Sequence, residues 1–187
     1  VIINEGNLNS ETGLPLSVFK INETHEVAVF EMGMNRRGEI KELADVLFPQ
    51  TAVITNIGSA HIGILGTKDK IAEEKKQIFS NFTADCTGFV PADEPYKDFL
   101  VSGVCGTMRT FGVGKEYGIE HVCDKGVKGT EFYYKGVKID FPLCGMHNLK
   151  NASCAVAVGE FFGLSAEQIK AGLEAVHPLA GRMQVLE

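Results

Sequence analysis

No CxxC pair, HExxH, GxSxG or GxGxxG occurs in the 187 residues, so zinc, serine-hydrolase and dinucleotide chemistry have no support in the sequence. No apolar run approaches the roughly 18 residues that a membrane span needs, and no charged-then-apolar leader opens the chain. There is no basic tract either. With a net charge of −6, nucleic acid is disfavoured as the main partner, although a local phosphate site is still allowed. The five cysteines (Cys86, Cys105, Cys123, Cys144 and Cys154) are odd in number and scattered. They read as reduced residues of a cytoplasmic protein, not as a disulfide framework. One glycine-rich stretch, Gly112-Val113-Gly114-Lys115, falls short of a phosphate loop. Arg109 stands where GxxxxGK needs its first glycine, and Glu116 stands where the hydroxyl belongs, so this is a turn.

The remaining composition, 44% hydrophobic and 22% charged, is that of a globular domain with one substantial core and room for a small appendage. Residues 4–13 read as a loop and 14–21 as a short helix. Two apolar runs, 27–31 and 52–57, flank a helical segment, 39–48, with Ile40, Leu43, Ala44 and Leu47 on one face. This pattern predicts two buried parallel strands in a βαβ unit. Residues 58–66 form a glycine-spaced loop. A helix follows over 69–82, with Ile71, Ile78, Phe79 and Phe82 apolar and Glu73, Glu74, Lys75 and Lys76 on a solvated side. A third strand (87–90) and a helix (96–101) complete a βαβαβα alternation, which predicts an α/β fold with a mainly parallel sheet flanked by helices. After that come short strand-like pieces at 107–113, 118–123, 130–134 and 137–141, the last two joined by a tight turn at Lys135-Gly136. They predict a small antiparallel β appendage. Helices at 148–162 and 165–176 close the chain, the second capped by Ser165. The expected organisation is a parallel α/β part over 1–104, an appendage over 105–144, closing helices over 145–180 and the start of a linker over 181–187. The abrupt ends read as those of a piece cut from a longer protein.

In open α/β sheets, ligands bind beyond the carboxyl ends of the strands, which points to Glu31 and His61. A carboxylate ending an apolar strand is costly to bury unless it is paired or binds a cation. A carboxylate and an imidazole converging at the sheet edge can hold a divalent metal, with oxygen ligands favouring magnesium or manganese. The plain alternative for Glu31, His61, Lys75 and Lys76 is a solvent-facing side chain. The stretch Gly145-Met146-His147-Asn148-Leu149-Lys150-Asn151 opens the long helix. Its free amides suit a nucleotide or anion, with simple capping by asparagine as the alternative. Arg182, after Gly181, has the chemistry to clamp a phosphate in two-pronged fashion.

Taken in order, these stretches are more specific than any one alone. The chain resembles the central ATP-binding, P-loop-NTPase-like domain of the Mur ligases, the ATP-dependent amide-forming enzymes of peptidoglycan precursor synthesis. The resemblance is carried by Gly6-Asn7-Leu8-Asn9-Ser10-Glu11-Thr12-Gly13, Phe30-Glu31-Met32-Gly33-Met34-Asn35 with Gly38-Glu39-Ile40, and Thr55-Asn56-Ile57-Gly58-Ser59-Ala60-His61. It continues through Lys75 with Ile78-Phe79, Gly145-Met146-His147-Asn148 with Asn151-Ala152, and Gly181-Arg182. The asparagine-rich opening, and the absence of a Ser-Ser-His run after Glu31, favour the type that joins D-alanyl-D-alanine to a UDP-N-acetylmuramoyl-tripeptide.

The resemblance implies a role for each matched residue. Glu31 and His61 would hold Mg2+, and Lys75 would join them as a carbamate. His147, Asn148 and Asn151 would face the adenine of ATP, and Arg182 its phosphates. Asn7, Asn9 and Glu11 would approach the UDP-linked substrate. It also implies a GKT-type phosphate loop just before Val1, without which this piece is expected to be inactive alone. Arg36 departs from the histidine that relatives often carry, and Ala92-Asp93-Glu94-Pro95 only approximates their Asn-x-Asp-Asp turn. Another Mur-like ligase and a non-catalytic nucleotide-binding or interaction module are the competing readings.

Overall fold

Ile2–Ile3 (β1) and Ala28–Val29 (β2) pair in parallel, with Ile2 opposite Ala28. They open the first of two units in the computed structural model, which describes residues 1–177. The first unit comprises Val1–Val90 and Glu94–Arg109, and the second Pro91–Asp93 and the chain from Thr110 onward.

Within the first unit, α1 (Gly13–Val18) lies between β1 and β2 in sequence, and α2 (Glu39–Leu47) follows. Ile40, Leu43 and Ala44 are buried on one side of α2, as their spacing predicts. The chain continues through β3 (Thr51–Val53), the single turn α3 (Ile62–Leu65), α4 (Lys68–Lys76) running into a 3-10 turn over Gln77–Phe79, β4 (Thr87–Pro91), α5 (Lys97–Val101) and β5 (Thr107–Phe111). β3 and β4 are parallel, and the sheet order is β3-β4-β5. All five residues of β4 are buried, which suits a central strand. A core of Ile40, Ile54, Ile71, Phe79, Val90 and Leu100, among others, packs around it.

Three expectations change. The run 27–31 is a strand for only two residues, both exposed, and β2 pairs with β1 and not with β3. Side chains and loop backbone take over beyond it. Asn4 accepts from Glu31 N and donates to Glu31 O, both at 3.1 Å, and Gly33 N donates to Asn9 O at 2.8 Å. The run 52–57 likewise leaves its ladder after Val53, although Ile54 N still bonds Phe89 O at 2.9 Å. Finally, β5, expected in the antiparallel appendage, lies beside β4. Thr107 N bonds Cys86 O and Ala92 N bonds Phe111 O, so the two strands advance together.

In the second unit β6 (Ile119–Asp124), β7 (Thr130–Tyr134) and β8 (Val137–Phe141) form an antiparallel sheet in that order. Lys135 and Gly136 make the two-residue turn between β7 and β8, with φ of +49° and +80°, as a primed hairpin turn requires. α6 (Met146–Phe161) and α7 (Ala166–Glu174) supply Leu149, Val156, Ile169 and Leu173 to a core shared with Phe132 and Ile139. Ser165 caps α7 in a full capping box with Gln168. The rejected phosphate-loop stretch is indeed a turn, with a 3-10 segment over Lys115–Tyr117 leading to β6.

Gly129, just before β7, has a φ of +100°, and a Cβ there would meet the Phe141 carbonyl oxygen at 2.1 Å. Backbone cannot give way as a flexible side chain can. Gly129→Ala is therefore expected to destabilise the protein by roughly 3 kcal/mol, which chemical denaturation would read as a lower midpoint at unchanged slope.

Candidate active site

Helix α4 begins at Thr67, whose side chain accepts from Lys70 N. At its other end three consecutive side chains reach three different parts of the chain. Glu74, 6% exposed, accepts from Gly38 N at 2.8 Å and Ile40 N at 3.0 Å, occupying amides at the start of α2. Lys75 Nζ donates to the Asn56 carbonyl at 2.7 Å. Lys76 Nζ donates to Phe99 O and Ser102 O, both at 2.7 Å, and lies 4.5 Å from the centre of the Phe99 ring. The solvated face expected for 73–76 is thus mostly wrong: Glu73 is exposed, Lys75 and Lys76 are half-buried and Glu74 is buried.

Burial pushes the Lys75 ammonium below its ordinary value, with the negative charge of Glu94 opposing the shift. A lysine with that bias presents more neutral amine, the form that takes up carbon dioxide as a carbamate.

Glu31 lies just past β2 and is exposed. The opening loop holds it at both levels, its backbone by Asn4 and its Oε1 by Asn9 Nδ2 at 3.1 Å. Close approach explains Gly33, where a Cβ would sit 2.9 Å from Asn9 Oδ1. Asn9 therefore contacts Glu31 directly, while Asn7 is exposed in the same loop. Glu11 stands beside Glu39. Glu39 itself is 1% exposed and accepts from Asn35 N at 2.5 Å and Arg36 N at 3.2 Å. Burial works against its ionisation. The two amides, Glu11 and Arg36 nevertheless hold the Glu39 carboxyl below the usual carboxylate range.

The loop expected over 58–66 holds a helical turn, α3, at Ile62–Leu65, and His61 precedes it with φ +66°, an exposed residue in a left-handed conformation. Such a backbone is unusual for a residue with a β-carbon. Among the described residues no three His, Cys, Asp or Glu side chains stand together as a ready metal cluster.

In the second unit, Gly145 is the N-cap of α6 and gives no side-chain cap. The His147 ring folds back over it, since a Cβ on Gly145 would lie 3.0 Å from that ring. Asn148 turns away from capping and donates from Nδ2 to the Cys144 carbonyl at 2.8 Å. His147 and Asn151 are exposed. Arg182 lies outside the described residues.

Residues 1–159, most of the chain, match the Mur ligase middle domain. The chain belongs to this family. Over its full length it is 48% identical to the UDP-N-acetylmuramoyl-tripeptide–D-alanyl-D-alanine ligase of Treponema pallidum, of which it covers 40%. It thus spans well under half of that relative. A crystal structure of MurF from Acinetobacter baumannii superposes on all of the chain with a TM-score of 0.90 at 27% identity, the match covering 42% of that structure. MurF ligase from Thermotoga maritima in complex with ADP matches 99% of the chain and 44% of its own, with a TM-score of 0.78 at 26% identity.

Three acids of this Mur ligase domain were missed in the sequence. Glu74 carried a signal, since its spacing from Ile71 and Ile78 puts it on the apolar face of α4. Glu39 stands four residues before Leu43, also on a buried face. Glu94 sits in a loop, where no periodicity reveals it. Among the described residues, no helix is long and apolar enough to cross a membrane.

Proposed function

We propose that the full-length protein carrying this domain is a cytoplasmic ATP-dependent ligase of peptidoglycan precursor synthesis. It adds D-alanyl-D-alanine to a UDP-N-acetylmuramoyl-tripeptide. One observation carries the reading: the 48% identity, along the whole chain, to a relative of that name. The five free cysteines agree with a reducing compartment.

The reaction has two steps. The terminal carboxylate of the tripeptide attacks the γ-phosphoryl group of ATP, giving an acyl phosphate and ADP. The amine of D-alanyl-D-alanine then attacks the acyl carbon through a tetrahedral intermediate, and inorganic phosphate leaves as the amide forms. Glu31, His61 and carbamylated Lys75 are the residues that would hold Mg2+. They supply two carboxylate groups and an imidazole, a set that fits a cation keeping several waters. When bound, the metal offsets negative charge on phosphoryl and carboxyl oxygens. Glu31 is oriented for this by Asn9, and Lys75 has the depressed pKa that carbamate formation needs. His147, Asn148 and Asn151 would face the adenine and Arg182 the phosphates, while Asn7, Asn9 and Glu11 would lie toward the UDP-linked substrate.

The full-length protein should release phosphate only when ATP, magnesium, the UDP-linked tripeptide and D-alanyl-D-alanine are all present. Equal release with a single amino acid in place of the dipeptide would point to another Mur-type ligase. No release with any amine acceptor would favour a non-catalytic module.

A further inference from the structure

The peptide bond between Asn56 and Ile57 is held from both sides by side chains of opposite charge. Its carbonyl accepts from Lys75 Nζ at 2.7 Å, and its N–H donates to Glu94 Oε2 at 2.9 Å. Ile57 is only 6% exposed and its bond to Glu94 is partly buried, so the amide relies largely on that carboxylate. The other oxygen of Glu94, Oε1, accepts from Tyr96 N at 3.3 Å, and the Tyr96 hydroxyl donates to Asp69 on α4 at 2.8 Å. Glu94 is therefore fixed to its own turn and, through that turn, to the helix that bears Lys75. The clamped peptide lies where the chain has left the β3–β4 ladder, so no strand partner sets its plane.

We infer that Glu94 is a positioning residue for the ligase reaction. By fixing the plane of the 56–57 peptide it sets the direction of the Asn56 carbonyl, and that carbonyl seats the Lys75 side chain. A free peptide would turn its carbonyl away and let the lysine swing into solvent. The inference rests on the reading of Lys75 given above. It adds a residue that contacts neither ATP nor either substrate but acts through the lysine. The preorganisation involved is of the kind that makes misplacement of about 1 Å costly to turnover.

The test is a double-variant cycle in the full-length enzyme. Glu94→Ala leaves the buried Ile57 amide without its acceptor and should lower kcat about thirtyfold, with KM for ATP changed by less than about twofold. Glu94→Gln keeps one acceptor oxygen and should recover part of the loss, to within about fivefold of the parent. The same substitutions are then made on Lys75→Ala, assayed with a short-chain carboxylic acid that restores measurable turnover. There Glu94→Ala should change kcat by less than about twofold, because the side chain through which it acts is gone. An equal loss in both backgrounds would overturn the inference and leave Glu94 a structural residue, with the reading of Lys75 intact. Full activity of unrescued Lys75→Ala would overturn that reading and the inference together.

Discussion

Lys75→Ala in the full-length protein is expected to lower kcat by at least about a hundredfold, and millimolar formate or acetate should restore part of it. The reasoning starts from the charge of the side chain. An ammonium has no lone pair for a cation, so an unmodified lysine cannot help to hold magnesium. A carbamate provides two oxygens. Burial favours the neutral amine from which it forms, and the Asn56 carbonyl keeps the side chain in one place beforehand. Removing the side chain leaves a gap of about carboxylate size that a small acid can enter, whereas a purely structural lysine would not be replaced by an anion. Full turnover without added acid would refute the carbamate role. Melting temperatures measured alongside separate loss of chemistry from loss of fold.

Glu31→Ala is the second large effect. Turnover should drop by roughly a hundredfold, and the magnesium concentration for half-maximal rate should rise severalfold. The fold should hardly notice. Glu31 is exposed, and the bonds that fix its backbone come from Asn4, which the substitution leaves in place. What is lost is one hydrogen bond from Asn9 to an exposed carboxylate, worth about 1 kcal/mol at most. A collapse in melting temperature with unchanged magnesium dependence would make Glu31 structural instead.

Within single helices, caps and tight turns, the sequence foretold the structure well. The apolar phase of α2, the Lys135-Gly136 turn and the Ser165 cap each follow from a local rule acting on neighbouring residues. Two of the failures share one cause. At 27–31 and 52–57 the apolar run outlasts the ladder, because side chains distant in sequence satisfy the backbone. Asn4 reaches Glu31 across 27 positions, and Glu94 reaches Ile57 across 37. No window of neighbouring residues contains that information. Glu94, in a loop, is hidden in the same way, whereas Glu74 and Glu39 carry a local signal in their spacing from Ile71, Ile78 and Leu43. Glu31 and His61 stand out as candidates at the ends of apolar runs, and the order of several motifs adds Lys75 to them. The contact by which Asn9 holds the Glu31 carboxylate, and the bond from Ile57 to Glu94, became visible only in three dimensions.

The row Glu74-Lys75-Lys76 has a consequence for how this domain tolerates change in length. Successive residues on an α-helix are turned by about 100° from one another. One residue inserted or deleted between Thr67 and Glu74 would swing all three side chains to a new azimuth at once. It would release the start of α2, the 56–57 peptide and the end of α5 together. A loop could absorb the same insertion as slack. The phase of this one short helix is therefore an alignment standard for the first unit, and a change in length should be tolerated only in the segments on either side of it.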